Sequence, residues 1–519
     1  MDIPSLFMIP SAVSSGKVHS VFPNSTDADF DFNRDSDATR VNSEGLIERV
    51  GYYGSELILN PNFDDTSFWG LEAGVTIANN RANFNTAQTN YGIYKASLLT
   101  NSKTYKVQFE ITDYTSGGVH FNIGGVAIGS YTALGIHTLD VSSGSGTNVF
   151  AIQSDSGGAV LSIDNVSVKE ITGDRARLNY EIEGGLVNTK PSLLLEPQST
   201  NLLPYSEDYT QSDWQKLGLG NGSSPVITKD YAISPDGTRN ATRLQCNLNG
   251  GTTVSDQSLI AEVYSSSGNQ TISLYMKSNT GSNQNIYFAN TVTTGDTAVV
   301  TNEWQRFTFS HSSSTYVLAV GLRGNTGADN TADILIFAAQ AEQQSYATSY
   351  IPTNGSVQTR TSETCNGAGT SSILPSEEGI LYAEIQALAS DSTAKEITIS
   401  DGTTNNRVII SYNTANQIRI NYRNSSSNIF DQSNSATITD FHKIAVKWKA
   451  NDFSFYLDGS EVASSTSGSV MSANTLTTVN FDDGAGTFDF YGKVRDIRVY
   501  NTKEMTDSEV DILLTKITS

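Results

Sequence analysis

Alternation of apolar and polar positions with a period of two runs along most of this chain. In TYKVQFEIT, Tyr105, Val107, Phe109 and Ile111 point one way while Lys106, Gln108 and Glu110 point the other. TISLYMKS repeats the pattern with Ile272, Leu274 and Met276, and RFTFS with Phe307 and Phe309. Near the C-terminus HKIAVKWKA alternates Ile444, Val446 and Trp448, and DFSFYLDG alternates Phe453, Phe455 and Leu457. Half-buried strands of antiparallel sheets read this way. One helix is predicted, at the end of the chain. In EMTDSEVDILL, Thr506 caps, Glu509 closes a capping box, and Met505 with Val510 forms a hydrophobic staple. Val510, Leu513 and Leu514 make a single apolar stripe that has to pack on a larger body.

The punctuation of the strands repeats. NPNFDDTSFW (Asn60–Trp69) and YSEDYTQSDW (Tyr205–Trp214) each set an acidic turn before a tryptophan. Each is followed by strands in similar order, ending in LSIDNVSVKEI and DILIFAAQAE. Two β-sandwich domains of ordinary size fit these limits, and a third β-rich region begins near Gly379. The expected architecture is all-β: tandem antiparallel sandwiches, two of them jelly rolls, with a short C-terminal helix. The divisions fall at residues 1–55, 56–172, 173–203, 204–362 and 363–519.

Composition agrees. With 519 residues the chain exceeds what a single core serves, and Ser, Thr, Asn and 42 Gly supply its polarity while only 17% is charged. A net charge of −22 repels nucleic-acid phosphates and anionic membrane surfaces, so neither is an expected partner. The two cysteines, Cys246 and Cys365, form no disulfide framework and no zinc spacing. The opening MDIPSLFMIPSAVSSGK has no basic n-region, so no signal peptide is read there, and no apolar run is long enough to span a membrane.

Catalytic chemistry is not expected. His19, His120, His137, His311 and His442 are scattered singly, and neither a nucleophile elbow nor a phosphate-binding glycine loop occurs. The acidic pairs Asp64–Asp65, Glu207–Asp208 and Asp482–Asp483 read as turn chemistry rather than a glycosidase pair. Sugar recognition asks for aromatic faces and hydroxyl-reading amides, and Trp69, Trp214, Tyr412, Asn421 and Tyr422 are the candidates. Against them, Trp69 and Trp214 recur at matching places, as packing residues do. Trp304 and Trp448 lie in alternating stretches and are expected in the core.

ELILNPNFD…FW closing with LSIDNVSVKEI resembles carbohydrate-binding jelly-roll modules found beside bacterial glycanases. GILYAEIQ…HKIAVKWKANDFSFYLDGSEV…YGKVRDIRVYNTKEMTDSEV resembles a concanavalin A-like, laminin-G-type lectin sandwich, without the E-x-D-x-x-E strand of its glucanases. Such domains imply a possible structural calcium, with Asp164, Asp401 and Asp458 as candidates by family position, although Asp401–Gly402 and Asp458–Gly459 read more simply as hairpin turns. Three further segments, Asp29–Val50, Arg177–Leu203 and Ala339–Arg360, are similar to recurring stretches of tailed-bacteriophage virion proteins. The first two usually adjoin; here a jelly roll separates them, so they are expected to meet in space as one connector. In SYIPTNGSVQTR, Tyr350 and Ile351 are then expected to anchor the segment on the second jelly roll, with Pro352 as a rigid exit.

The resemblance implies a virion-attached fibre, spike or decoration subunit. Its partners would be capsid or tail proteins, host-surface polysaccharide and further copies of itself, a trimer by analogy with phage fibres. A cellular carbohydrate-binding adhesin, or an accessory protein of polysaccharide degradation, is the alternative.

Overall fold

The computed structural model describes residues 3–101, 103–155, 158–172, 175–183, 185–289, 296–312 and 316–519. It is built from antiparallel sheets, with one α-helix among the described residues. The chain divides into two compact units: residues 51–173, and the remainder, residues 1–50 with 174–519.

Residues 51–173 form a sandwich of ten strands running from Gly70–Leu71 to Ala159–Thr172, preceded by Tyr52–Glu56. Numbered along the chain, the ten lie in two sheets of order 1-4-9-6-7 and 2-3-10-5-8. A second set of ten, from Gln215–Leu219 to Thr331–Glu342, lies in the other unit in the same two orders. The repeat read from punctuation is therefore a repeat of topology. Each set encloses its own apolar core, one around Phe109, Phe121 and Phe150 and the other around Leu274, Phe288 and Ile336.

The two tryptophans close the two cores in the same way. Trp69 is stacked on Phe63, and its indole Nε1 donates to the carbonyl of Asn60 nine residues earlier, at 3.1 Å. Trp214 packs on Tyr209, and its Nε1 donates to the carbonyl of Tyr205, again nine residues earlier, at 2.9 Å. A buried indole gains most when its N–H finds a partner, and here the acidic turn brings that carbonyl back.

The third sandwich faces a sheet of eight strands against one of five. The larger sheet is centred on Gly492–Asn501, Gly379–Ala387 and His442–Lys449; the smaller holds Lys395–Ser400, Arg407–Tyr412 and Ile418–Asn424. Thr506 and Glu509 make the expected capping box of the helix Asp507–Thr518. Val510, Leu513, Leu514 and Ile517 cover Ile380, Tyr382 and Tyr500 on the outside of the larger sheet, with Met505 beside them.

The N-terminal segment, set off at residues 1–55 by the expected divisions, contributes strands to this third domain. Leu6–Met8 adds to Gly492–Asn501 as a strand, and Phe30–Asn33 pairs with Thr364–Asn366. Leu6, Met8, Phe30 and Phe32 share one core with Ile410 and Trp448. The alternation in DFDFN is the physical reason: its two rings face one way and need cover.

The segments expected to form a connector do lie together. The Val41 amide donates to Asn179 Oδ1 at 2.9 Å, and the Tyr180 amide to the Val41 carbonyl at 3.0 Å. Behind them is a fully buried charge cluster. Glu363 accepts from Arg34 Nη1 at 2.7 Å and, with both oxygens, from Arg177. Glu196 pairs with Arg177 at 2.7 Å and Arg360 at 2.9 Å, and accepts from the amide and hydroxyl of Ser349. These arginines hold Glu196 and Glu363 below the usual carboxylate range although burial acts the other way.

Tyr350 and Ile351 are buried on the second sandwich. The Tyr350 hydroxyl sits 2.6 Å from that of Ser206 and donates to Glu207 at 2.7 Å, and the Ile351 amide donates to Gln340 at 2.6 Å. The stretch is clamped at both ends: Thr39 Oγ1 donates to the Tyr350 carbonyl, and Gln358–Arg360 pairs as a strand with Ser199–Asn201.

Candidate functional site

None of the five aromatic and amide candidates offers a face to a sugar. Trp69 and Trp214 are core residues, as their matching positions suggested. Tyr412 and Tyr422 share the inward face of the smaller sheet of the third sandwich with Ile410 and Ile420, Tyr412 stacked on Phe490 and Tyr422 edge-on to Phe453. Asn421 points the other way, beside Arg419 and Arg423, yet is 0% exposed. The correction has a simple cause. In strands where both faces are covered, alternation does not tell an open face from a closed one. Trp304 departs the other way: it precedes the strand Gln305–Ser312, is half-buried, and its Nε1 donates to the Ile233 carbonyl at 3.3 Å.

The three calcium candidates stand apart, each in its own hydrogen bonds. Asp164 Oδ1 accepts from the Asn165 amide. Asp401 accepts from Thr403 and Asn406 within one hairpin loop. Asp458 and Gly459, with φ of 47° and 84°, form a two-residue hairpin turn, and the Asp458 carboxylate accepts from the Lys443 amide and faces His442 Nδ1 at 2.6 Å. Among the described residues no group of three or more His, Cys, Asp or Glu is placed to hold a metal ion.

A built surface lies elsewhere, on the outer face of the five-stranded sheet in residues 51–173. Its strands run side by side as Gly70–Leu71, Gly92–Lys95, Phe150–Ser154, Val119–Ile123 and Val126–Tyr131. Ile93, Ile152, Val119, Phe121 and Ile123 point into the core, so the alternate residues Tyr94, Gln153, His120 and Asn122 point out. Register sets them in a grid. Tyr94 lies between Gly70 and Ala151, Ala151 faces Asn122, and Gln153 lies between Gly92 and His120.

The Tyr94 ring rests over Gly70, where a Cβ would come within 2.3 Å of its Cζ, and 37% of Tyr94 is exposed. Asn122 Nδ2 donates to Gln153 Oε1 at 2.9 Å, and Gln153 Nε2 donates to the Asn90 carbonyl at 2.7 Å. His120 turns Nδ1 to Asp155 at 2.7 Å, while Ser130 donates to the other oxygen of that carboxylate. Nε2 of His120 is left without a partner. Gly118 leaves room for this pair, since a Cβ there would meet Asp155 Oδ2 at 2.7 Å. An aromatic ring lying on the sheet next to fixed amides, a hydroxyl and a carboxylate is suited to stacking on a pyranose and exchanging hydrogen bonds with its hydroxyls.

The second sandwich is an internal control. In the same register, Tyr94 is replaced by Ala261, Asn122 by Ala289, Gln153 by Gly321 and His120 by Tyr287. That face is an apolar cluster of Leu259, Ala261, Tyr287, Ala289, Val317 and Ala319. The fold is stable with either chemistry, so folding does not account for the polar set on the first sandwich. Sequence reading missed these residues because Tyr94, Asn122, Gln153 and Asp155 are ordinary outward residues in GIYK, VHFNI and FAIQSD, and His120 looked solitary. Their common face becomes visible only once those three strands are in register.

Comparison with known proteins places one domain. Residues 386–511 match the family of concanavalin A-like lectins and glucanases. No curated protein matches the chain in sequence. Among solved structures, the CBM40 of a Ruminococcus gnavus sialidase bound to α2,3-sialyllactose is 13% identical, covering 28% of this chain and 87% of its own, with a TM-score of 0.24. The tandem CBM22-1–CBM22-2 of Paenibacillus barcinonensis Xyn10C is 10% identical over 57% and 98%, with a TM-score of 0.20. The GH43 protein BlXynB of Bacillus licheniformis is 11% identical over 96% and 99%, with a TM-score of 0.18. The chain therefore carries a concanavalin A-like domain towards its C-terminal end and is all-β, with one α-helix among the described residues.

Proposed function

We propose that this chain is a glycan-binding protein and that the Tyr94 face of residues 51–173 is its sugar site. The observation that carries the reading is the contrast between the two sandwiches. They share topology and the tryptophan lock, and only one carries a ring, two amides and a His–Asp pair on its outer sheet. In this mechanism a pyranose stacks on Tyr94, its hydroxyls are read by Asn122 and Gln153, and His120 is held in orientation by Asp155. Affinity at one such site is modest and rises when many copies engage one polysaccharide.

The test is a glycan array probed with the full chain, wild type and Tyr94→Ala. Retention of neutral oligosaccharides by the wild type, reduced about tenfold or more in the variant, is expected for loss of an aromatic stacking contact. Undiminished binding by Tyr94→Ala would overturn the site.

The finer reading makes the chain a structural subunit of a tailed-phage particle, a fibre, spike or decoration protein presenting the sugar site to a host. It is supported by the resemblance of three segments to phage virion proteins, all three of which contribute to the buried Arg–Glu cluster. Immunogold labelling of particles from a lysed host is expected to place the chain at a defined position on capsid or tail. Label on the cell surface and none on particles would favour a cellular adhesin instead.

A further inference from the structure

A pocket of about 280 Å³ opens where the second sandwich, the connector and the larger sheet of the third sandwich meet. Its wall includes Arg40, Tyr275, Arg306, Gln386, Lys493 and the buried Glu196. Arg306 spends Nη1 on the Thr348 carbonyl at 2.7 Å and Nη2 on the Ser273 hydroxyl at 2.9 Å, and its guanidinium stands 5.7 Å from the centre of the Tyr275 ring. No carboxylate pairs with it among the described residues, and its Nε has no partner. Arg40 and Lys493 are matched by Glu48 at 2.5 Å and Glu181 at 3.3 Å. Glu196, the one acidic lining residue, is committed to Arg177 and Arg360. In a chain of net charge −22, the pocket thus holds one uncompensated cation with two more beside it.

We infer that this pocket is a second binding site, which takes the carboxylate-bearing sugar residue of an acidic glycan. The uncompensated guanidinium selects an anion, and Nη1 and Nη2 each keep a second N–H that a carboxylate oxygen can accept. A bare inorganic ion would leave most of the volume unfilled. It would also leave Gln386 Oε1 unmet, an acceptor with no partner although its amide nitrogen donates to the Thr439 carbonyl. A sugar acid supplies a hydroxyl for that oxygen and a ring to lie against Tyr275. The inference is independent of the Tyr94 face, because it concerns a different part of the chain and ligands of the opposite selectivity.

The test is calorimetric titration of the full chain with D-glucuronate, D-glucose and inorganic sulfate, for wild type, Arg306→Ala, Lys493→Ala and Tyr94→Ala. Glucuronate is expected to bind where glucose does not, to weaken about tenfold or more in Arg306→Ala and less in Lys493→Ala, and to be unchanged in Tyr94→Ala. Circular dichroism and thermal melting of each variant separate a lost contact from a lost fold, and Lys493→Ala, at the rim, serves if Arg306→Ala does not fold. Three results would overturn the inference: no glucuronate binding, sulfate binding as tightly as glucuronate, or a loss confined to Tyr94→Ala.

Discussion

Glu262 shows how a single residue sets a pH dependence. It shares the core-facing side of Gln257–Val263 with Ile260, is 2% exposed, and its Oε2 has no hydrogen-bond partner. Burial first, and the Asp213 charge second, push its carboxyl up to about 8. A carboxyl raised in the folded state binds more protons there than in the unfolded chain. The stability it contributes is complete below its ordinary value of 4.5 and drains away as pH rises through 8. Thermal melting between pH 5 and pH 9 is expected to show this loss, on the order of a few kcal/mol, and Glu262→Gln is expected to flatten it. An equal slope in the variant would place the effect elsewhere. The residue scale is also where sequence reading was weakest. Asn421 and Tyr94 both occupy alternating strands, and nothing local shows that the first is closed over and the second open.

At the scale of elements the sequence was far more informative, because period-two alternation and caps are local properties of the chain. Thr506 and Glu509 form the capping box their spacing predicts, and Val510, Leu513 and Leu514 bury the stripe they draw. The acidic-turn–tryptophan repeat carried real topological content, since both copies lead into the same strand order. What no local pattern holds is pairing across the chain. Nothing local in the sequence ties Leu6–Met8 to a partner, yet it pairs with Gly492–Asn501, nearly the whole length of the protein away. Removal of residues 3–8 is therefore expected to destabilise the C-terminal sandwich, since Leu6 and Met8 leave its core; an unchanged melting temperature would contradict that packing.

At the scale of the molecule, the connector works as a buried electrostatic knot. Arg34, Arg177 and Arg360 come from three separated segments and converge on Glu196 and Glu363, so the pair Glu363–Arg34 bridges 329 positions of sequence. A buried pair of this kind adds little net stability over apolar packing, but removing one partner strands the other charge. Glu363→Gln removes the carboxylate that Arg34 and Arg177 share and is expected to cost about 3–5 kcal/mol in urea unfolding. A loss below ~1 kcal/mol would mean the knot is not what holds the connector. The lowered carboxyls of Glu196 and Glu363 carry the opposite sign to Glu262: their contribution is present above their usual range and lost as pH falls.

Hydrogen–deuterium exchange of the full chain reports directly on whether a sugar sits on the outer sheet of residues 51–173. With and without the best neutral oligosaccharide from the array, added protection is expected in Gly92–Lys95, Val119–Ile123 and Phe150–Ser154, and is expected to vanish in Tyr94→Ala. Protection appearing only in the concanavalin A-like domain, residues 386–511, would contradict the Tyr94 site and move the sugar there.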